Sequence, residues 1–210
     1  PQALQPVAAQ AWQRLREALS QADNVADMTG QPSPSAEWSS LSTSRRAALV
    51  RVLAISSFAV DTLIRHPEWL ATLDSGGELD ATPSRDDQTQ LLADAMDSAD
   101  DEDAMQRALR RFRQARMLGI VWRDLNRPPD YTMWDTAHAV SQLAEICLEA
   151  ALCWLEQFYA PRWGLPAPTR DGDPQRLVVL GMGKLGAGEL NLSSDIDLIF
   201  AFAEKGDTQG

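Results

Sequence analysis

Apolar residues recur at helical spacing through most of the first 160 positions. Around Val7 to Ala22, the apolar stripe includes Trp12 and Leu15. The longest periodic segment, Thr132 to Tyr159, is rich in Ala, Leu and Trp and is typical of a core helix. This pattern predicts a helical domain over residues 1–160 that contains no sheet.

Two local signals divide the early helices. Ser44 is placed to cap a helix whose apolar stripe includes Val52. The following helical pattern ends near Arg65, because His66 precedes Pro67 and a residue before proline avoids the helical conformation. Pro67 is then expected to begin a short new helix.

The pattern changes after residue 160. The segment 161–175 has four prolines and two glycines and is interpreted as a linker between domains. Short apolar runs follow at Arg176 to Leu180 and at Ile196 to Phe202, and both are predicted strands. The expected fold is therefore mostly α, with a helical domain followed by the beginning of an α+β domain over residues 176–210.

Composition and charge exclude several classes of protein. The chain has 30 acidic and 19 basic residues, a formal net charge of −11, and 44% hydrophobic residues. Such an acidic protein repels phosphate backbones, so neither nucleic acid nor a membrane is an expected partner. Two cysteines are too few for a disulfide framework, and no apolar run is long enough to span a bilayer. The chain begins without Met, so we expect a trimmed N-terminus, and we expect a cytoplasmic location.

The charges are also segregated along the chain. Acidic residues dominate from Asp74 to Asp103, and seven arginines follow between Arg107 and Arg127. For most of these charges we expect a solvated helix. Arg116 lies on the same helical face as several apolar residues, which predicts a mostly buried side chain with a carboxylate or carbonyl partner.

The candidate chemistry lies between the two predicted strands. Gly181, Gly183 and Gly186 match a dinucleotide-binding G-x-G-x-x-G pattern, but too few residues follow for a strand–helix–strand crossover. A P-loop is excluded, because Lys184 is followed by Leu185 where that motif needs Ser or Thr.

A third interpretation uses Asp195 and Asp197. Alternate residues of a strand share a face, so both carboxylates would project together, as hard oxygen ligands suited to Mg²⁺ or Mn²⁺. A glycine-rich turn can bind phosphate through its backbone N–H groups, and Lys184 can add a positive charge. The alternative is a glycine hairpin with solvent-facing aspartates. A glycine turn followed by such carboxylates is the general pattern of DNA polymerase β-like nucleotidyltransferases.

The segment GMGKLGAGELNLSSDIDLIF resembles the signature of the bifunctional glutamine synthetase adenylyltransferase/adenylyl-removing enzymes. Two earlier stretches are similar to the same family: SSFAVDTLIRHPEWL (Ser56 to Leu70) and LRRFRQARMLGIVWRDL (Leu109 to Leu125). The long helical region and the form of the motif look more like the N-terminal, adenylyl-removing half. The resemblance implies that inorganic phosphate attacks the adenylyl-tyrosine of glutamine synthetase and releases ADP.

The resemblance also implies roles for individual residues. Asp195 and Asp197 would hold the metal ions, and Gly183 and Lys184 occupy the position of the superfamily's phosphate-binding turn. Ser194 would contact phosphate or shape the strand, whereas Glu189 is interpreted as structural. The implied partners are adenylylated glutamine synthetase, nucleotide and phosphate, with the PII signalling protein acting through the full-length enzyme.

The family pattern usually includes a third carboxylate on a later strand, and this chain stops 13 residues after Asp197. We therefore expect a fragment that is inactive alone. Two alternatives remain open: a helical docking module without activity, and a nucleotidyltransferase with another acceptor. The acidic charge disfavours an RNA acceptor.

Overall fold

A computed structural model describes residues 5–29, 41–73 and 81–209. The chain is mostly helical with a few short strands. The predicted fold class is confirmed to that extent, whereas the polymerase β-like domain stays a prediction. The described residues belong to two compact units, one within Pro1–Pro83 and Gln114–Thr136, the other within Ser84–Arg113 and Ala137–Gly210.

The first unit is helical. Its elements are α1 (Gln5–Thr29), α2 (Thr43–Ile55), α3 (Ser57–Arg65), a 3₁₀ helix (Pro67–Leu73) and the C-terminal part of α5 (Glu102–Asn126). Helix α1 packs against both α2 and α3. The largest fully buried side chains of this unit are Leu15, Leu19, Leu41, Leu49, Val52, Leu63, Leu70 and Trp122.

Serine side chains mark the helix boundaries of this unit. Helix α2 is capped by Ser42, whose side chain accepts from the backbone N–H of Arg45 at 3.3 Å. The prediction of Ser44 as the cap was therefore wrong, because Ser42 has the extended backbone that an N-cap needs. Ser56 separates α2 from α3: its N–H donates to Val52 O, and its side chain accepts from Ala59 N.

The interruption at proline is confirmed. Helix α3 ends at Arg65, His66 is the C-cap, and Pro67 begins the 3₁₀ helix. The His66 ring stacks on Trp69, with 4.2 Å between the ring centroids. No single helix of the described ranges is long and apolar enough to cross a membrane; only α2 and α3 together meet that criterion, and they are bent by 112°.

The second unit combines helices with two small sheets. Its elements are α4 (Arg85–Met96), the first half of α5, most of α6 (Met133–Trp163), β1 (Leu165–Pro166), β2 (Val178–Gly181), α7 (Gly183–Gly186), β3 (Leu198–Ala201) and β4 (Thr208–Gln209). β2 pairs with β3 and β1 pairs with β4, both antiparallel. The buried apolar side chains are Leu92, Met96, Met105, Phe112, Val140, Leu143, Ile146, Leu185 and Leu190.

Within the ranges that the structure describes, no strand precedes residue 161, as predicted, but β1 lies in the segment 161–175 that was predicted to be a linker. Among the described residues, the first strand begins at Leu165. Helix α6 continues past Tyr159 and through Pro161 to Trp163, so it extends beyond the predicted periodic segment. Both strands of the main hairpin are shorter than the apolar runs that predicted them, because pairing is limited to Val178–Gly181 and Leu198–Ala201.

The arginine that is buried is not the one we expected. Arg116 is half-buried, with its Nε atom shielded from solvent, so the expectation of a mostly buried side chain was only partly met. Arg123 is instead 3% exposed, and its Nη1 donates to the carbonyl of Ala81 at 3.2 Å. A backbone carbonyl thus accepts one hydrogen bond from the buried guanidinium.

Candidate active site

The candidate site is built on an antiparallel hairpin. β2 leads directly into the single-turn helix α7, and β3 returns beside β2 with Gly181 opposite Leu198. A dinucleotide-binding fold needs parallel strands joined by a helical crossover. The antiparallel pairing therefore agrees with the rejection of that fold.

Glycine is required at two positions of this turn for different reasons. Gly183 has a φ of +55°, in the left-handed region that favours glycine. At Gly186, a Cβ atom would lie 2.4 Å from the carbonyl oxygen of Gly181, which belongs to β2. The turn is thus closely packed on its own strand, and a side chain at Gly186 would force the two apart.

One hydrogen bond joins the glycine turn to the aspartate segment. The backbone N–H of Met182 donates to the carbonyl of Asp197 at 2.9 Å, one position beyond the paired residues Gly181 and Leu198. Met182 is the N-cap of α7. Asp197 is therefore fixed beside the start of the glycine turn.

Asp195 and Asp197 are both exposed and lie immediately before β3. We expected them within the strand, but β3 begins at Leu198, because its partner strand ends at Gly181 and the chain turns away. Their projection toward a common point stays a prediction. Within the described ranges, no group of three or more Asp, Glu, His or Cys residues is placed to hold a metal ion.

The other predicted site residues lie in the same loop. Gly183 and Lys184 are exposed in the first turn of α7. Ser194 Oγ is hydrogen-bonded to the side chain of Asn191, so its hydroxyl contacts its own loop. The N–H of Glu189 donates to the carbonyl of Lys184 at 2.8 Å and closes the turn.

Helix α6 anchors the loop that follows the glycine turn. The hydroxyl of Ser141 accepts from the N–H of Leu190 at 3.0 Å, and both residues are buried. Leu185 of the turn is also buried, and Gly188 lies close to the ring of His138. Sequence reasoning missed Ser141 and Leu190; the available signal was a serine next to the apolar residue Val140 on a predicted core helix.

A cavity of about 390 Å³ lies behind the turn, within the second unit. Its lining residues are Glu145, Leu148, Glu149, Leu152, Val179, Gly181 and Leu185. Arg85 forms ion pairs with Glu145 at 2.6 Å and Glu149 at 3.1 Å. The hydrogen bond that Arg85 Nη1 donates to the carboxylate of Glu145 is the main cause that raises the pKa of Arg85, and these ion pairs join α4 to α6.

Comparisons with known proteins show which family the sequence of this chain resembles. The family model of glutamate-ammonia ligase adenylyltransferase matches residues 46–210. A bifunctional glutamine synthetase adenylyltransferase/adenylyl-removing enzyme of Pseudomonas syringae pv. tomato is 43% identical over 166 residues, which is 79% of this chain and 17% of that protein. The protein of the same name from Pseudomonas aeruginosa is 43% identical over 160 residues, covering 76% of this chain and 16% of the relative.

The similarity extends along the chain in a third relative. The protein of the same name from Shewanella loihica is 37% identical over 210 residues, covering 100% of this chain and 20% of the relative. The chain thus spans about a fifth or less of the length of the curated relatives it matches. With a matching family model over residues 46–210, the chain belongs to the glutamate-ammonia ligase adenylyltransferase family.

Proposed function

We propose that this chain is part of the adenylyl-removing half of a glutamine synthetase adenylyltransferase. In the proposed reaction, an oxygen of inorganic phosphate attacks the phosphorus of adenylyl-tyrosine. A new P–O–P bond forms, the bond from phosphorus to the tyrosine oxygen breaks, and that oxygen takes up a proton. The products are ADP and unmodified glutamine synthetase.

The observation that carries the proposal is the hydrogen bond from Met182 N–H to Asp197 O, in a chain of this family. It keeps the carboxylate segment beside the glycine turn, which is the arrangement that phosphoryl transfer needs: anionic ligands and phosphate-binding groups around one point. The form of the motif, ELNLSSDIDLIF, favours the adenylyl-removing half.

Asp195 and Asp197 are the right type of ligand for a divalent metal ion, but two carboxylates are too few to complete its coordination shell. Asp195 and Asp197 supply the hard oxygen ligands that Mg²⁺ or Mn²⁺ prefers, and both side chains are exposed enough to be reached. A bound divalent cation would neutralise charge on the phosphate groups. Six-coordinate Mg²⁺ needs further ligands from water, substrate or another carboxylate.

The turn contributes phosphate binding in this proposal. The first N–H groups of a helical turn have no acceptor within the turn, and Met182 supplies no side-chain cap. In this proposal the N–H groups of Gly183, Lys184 and Leu185 would hold phosphate oxygens, and the side chain of Lys184 would add a point charge. Ser194 would shape the loop through Asn191 rather than touch phosphate.

The test is Asp197→Asn in the full-length enzyme, which removes a metal ligand at nearly constant volume. We expect the rate of ADP release from adenylylated glutamine synthetase, in the presence of phosphate and Mg²⁺, to fall at least about 100-fold. Removal of one essential electrostatic group from an active site typically has an effect of this size. The matched control is Asp207→Asn, an exposed aspartate outside the turn, which should leave the rate unchanged.

The same variant distinguishes the two halves. If the chain belongs to the adenylyl-removing half, Asp197→Asn should leave transfer of AMP from ATP to glutamine synthetase intact. Loss of transfer with intact ADP release would assign the chain to the opposite half. Normal rates of both reactions would overturn the proposed site.

A further inference from the structure

Few side chains attach the segment of candidate chemistry to the core of the second unit. Between Arg176 and Gln209, only Leu185 and Leu190 have buried side chains, at 5% and 4% exposure. Leu190 follows the glycine turn (residues 181–186), whereas Leu185 lies within it. Leu185 is therefore the one buried side chain of the turn itself.

The glycine turn has little tendency to hold its shape alone. Its helix α7 has only four residues, Gly183–Gly186, and a single helical turn is unfavourable in isolation. Its first and last residues are glycines, which have the lowest helix propensity after proline. The shape of the turn must therefore come from contacts with other elements.

Leu185 makes one such contact by packing over Gly181, the last residue of β2. A Cβ atom at Gly181 would lie 2.9 Å from Cγ and 3.0 Å from Cδ2 of Leu185. The backbone of Gly181 is not in the left-handed region, so its φ does not demand glycine. Glycine is required here because the side chain of Leu185 fills the space beside it.

Leu185 also lines the cavity of about 390 Å³ in the second unit. Leu148 and Leu152 of α6 and Val179 of β2 contribute apolar walls to the same cavity. Empty space beside a buried side chain removes atoms that would otherwise resist its displacement. A shorter side chain at Leu185 would enlarge this space and leave the turn without its apolar contact.

The contact at Gly181 lies next to the hydrogen bond that holds the aspartate segment. Gly181 pairs with Leu198, and the following residue, Met182, donates its N–H to the carbonyl of Asp197 at 2.9 Å. The side chain of Leu185, the backbone at Gly181 and this hydrogen bond thus form a continuous series of contacts. Displacement of Leu185 would reach Asp197 through two residues.

We propose that the side chain of Leu185 is a positioning residue for the reaction of the candidate site; this rests on the proposed function. It acts through the turn: packing on Gly181 fixes the turn on β2, and the turn fixes Asp197. Small displacements of reacting groups remove much of their effect on the rate. Truncating Leu185 should therefore slow catalysis in a way that truncating another buried leucine of the same unit does not.

The test variant is Leu185→Ala in the full-length enzyme, and the matched control is Leu92→Ala. Leu92 is 0% exposed and lies on α4 of the same unit, outside the glycine turn. We expect kcat for ADP release from adenylylated glutamine synthetase, with phosphate and Mg²⁺, to fall about 30-fold in Leu185→Ala. KM for glutamine synthetase should stay unchanged.

The control should lower the urea midpoint of unfolding at least as much, because it also empties a buried site. Its kcat should nevertheless stay within about twofold of wild type, since additivity holds for distant sites. Leu185→Met nearly conserves the side-chain volume and should recover most of kcat.

Hydrogen exchange tests the turn without relying on activity. The N–H groups of Met182 and Glu189 donate to the carbonyls of Asp197 and Lys184, at 2.9 and 2.8 Å. Both amides should exchange about tenfold faster in Leu185→Ala, because local opening of the turn becomes easier. In Leu92→Ala they should exchange within about twofold of wild type.

A double-mutant cycle tests the contact itself. Gly181→Ala alone places its Cβ 2.9 Å from Leu185 Cγ and should lower kcat about tenfold. In the Leu185→Ala background, the nearest remaining atom of that side chain is its Cβ, at an ordinary 3.5 Å. The double variant should therefore lose about 30-fold, as Leu185→Ala does, rather than the about 300-fold expected for independent sites.

Three results would each overturn the proposal: wild-type kcat in Leu185→Ala, an equal loss of kcat in Leu92→Ala, or wild-type exchange of both amides in Leu185→Ala. A loss of about 300-fold in the double variant would overturn the contact with Gly181 as its basis. If an alanine variant does not fold, Leu185→Val and Leu92→Val replace the pair, with about a fivefold loss of kcat expected only at Leu185.

The two proposals fail separately. Wild-type enzyme that releases no ADP contradicts the proposed reaction, while hydrogen exchange still decides whether Leu185 holds the turn. Normal kcat in Leu185→Ala, together with loss of ADP release in Asp197→Asn, contradicts only the role of Leu185.

Discussion

The helical core of the first unit and the β2–β3 hairpin of the second unit are stabilised in different ways. In the core, Val52 and Leu63 are fully buried, and Trp122 is 1% exposed. In the hairpin, Leu180 is 47% exposed and Phe200 is 60% exposed, although both are large apolar side chains. The hydrophobic effect therefore stabilises the helical core, whereas the hairpin faces contribute little of it.

The hairpin instead depends on a few anchors. A two-stranded hairpin alone is marginally stable in water. Here Leu185 and Leu190 are buried, and Ser141 accepts a hydrogen bond from the backbone between the two strands. The comparison indicates that mutations in the helical core mainly lower the stability of the fold, whereas mutations in the hairpin mainly alter the geometry of the candidate site.

The largest effect is expected from Trp122→Ala, which empties a buried site in the helical core. Loss of a buried aromatic side chain should lower the free energy of unfolding by about 3–5 kcal/mol. Phe200 is exposed, so Phe200→Ala should lower the free energy of unfolding by no more than about 1 kcal/mol. Urea unfolding followed by circular dichroism measures both, and equal losses would contradict the difference between the two regions.

Gly186→Ala should damage the site more than the fold. The added Cβ would meet the carbonyl of Gly181 at 2.4 Å, so the turn must move away from β2. We expect ADP release by the full-length enzyme to fall about 100-fold, because misplaced catalytic groups lose most of their effect.

The control for that variant is Gly206→Ala, where the nearest atom, Gln175 Nε2, would lie at an ordinary 3.5 Å. Its activity should match wild type. Full activity of Gly186→Ala would mean that the turn does not need its close approach to the strand.

Ser141→Ala tests the anchor between α6 and the loop. It leaves the buried N–H of Leu190 without its acceptor, at a cost of about 1–3 kcal/mol. Local hydrogen exchange at Leu190 should rise, and ADP release should fall about tenfold. Ser141→Thr keeps the hydroxyl and should restore much of the exchange protection and of the ADP release. Wild-type hydrogen exchange at Leu190 in Ser141→Ala would show that the anchor is unimportant.

The smallest effect on the free energy of unfolding at neutral pH is expected from Cys147→Ser, whose effect emerges at alkaline pH. Burial raises the pKa of the Cys147 thiol from 9.0 to about 11, so the folded state stays protonated where the unfolded state ionises. Its stabilising contribution is complete below pH 9 and is lost as the pH rises through about 11. Cys147→Ser should therefore flatten the decline in unfolding free energy between these pH values.

Cys153 supplies the comparison for that prediction, because it is exposed on the same helix. Iodoacetamide should label Cys153 first at pH 8, since the thiolate of a buried cysteine is disfavoured. Equal labelling rates would contradict the greater shielding of Cys147, which is half-buried.

Several elements could be predicted from the sequence because the rules that determine them act locally. The break at His66 and Pro67, the long helix α6 and the hairpin strands all depend on proline geometry or on periodicity within a short window. The candidate residues Asp195 and Asp197 were found in the same way, from a motif that is contiguous in the chain.

Other features were decided by tertiary structure. The sequence could not show that Ser42 rather than Ser44 caps α2, because the cap depends on the backbone angles of Ser42. Nor could it show that Arg123 rather than Arg116 is buried, because that depends on tertiary contacts such as the hydrogen bond to Ala81. The anchor between Ser141 and Leu190 joins residues 49 positions apart.

The sequence by itself determined the long core helix, the break at proline, the two strands of the main hairpin and the residues proposed for the candidate chemistry. The tertiary structure decided where those residues lie. Met182 and Asp197 are 15 positions apart in the chain, and pairing of β2 with β3 brings the backbone nitrogen of Met182 within 2.9 Å of the carbonyl oxygen of Asp197. The physical reason is that periodicity, capping and proline effects act over a few residues. Strand pairing and burial depend instead on which distant segments meet.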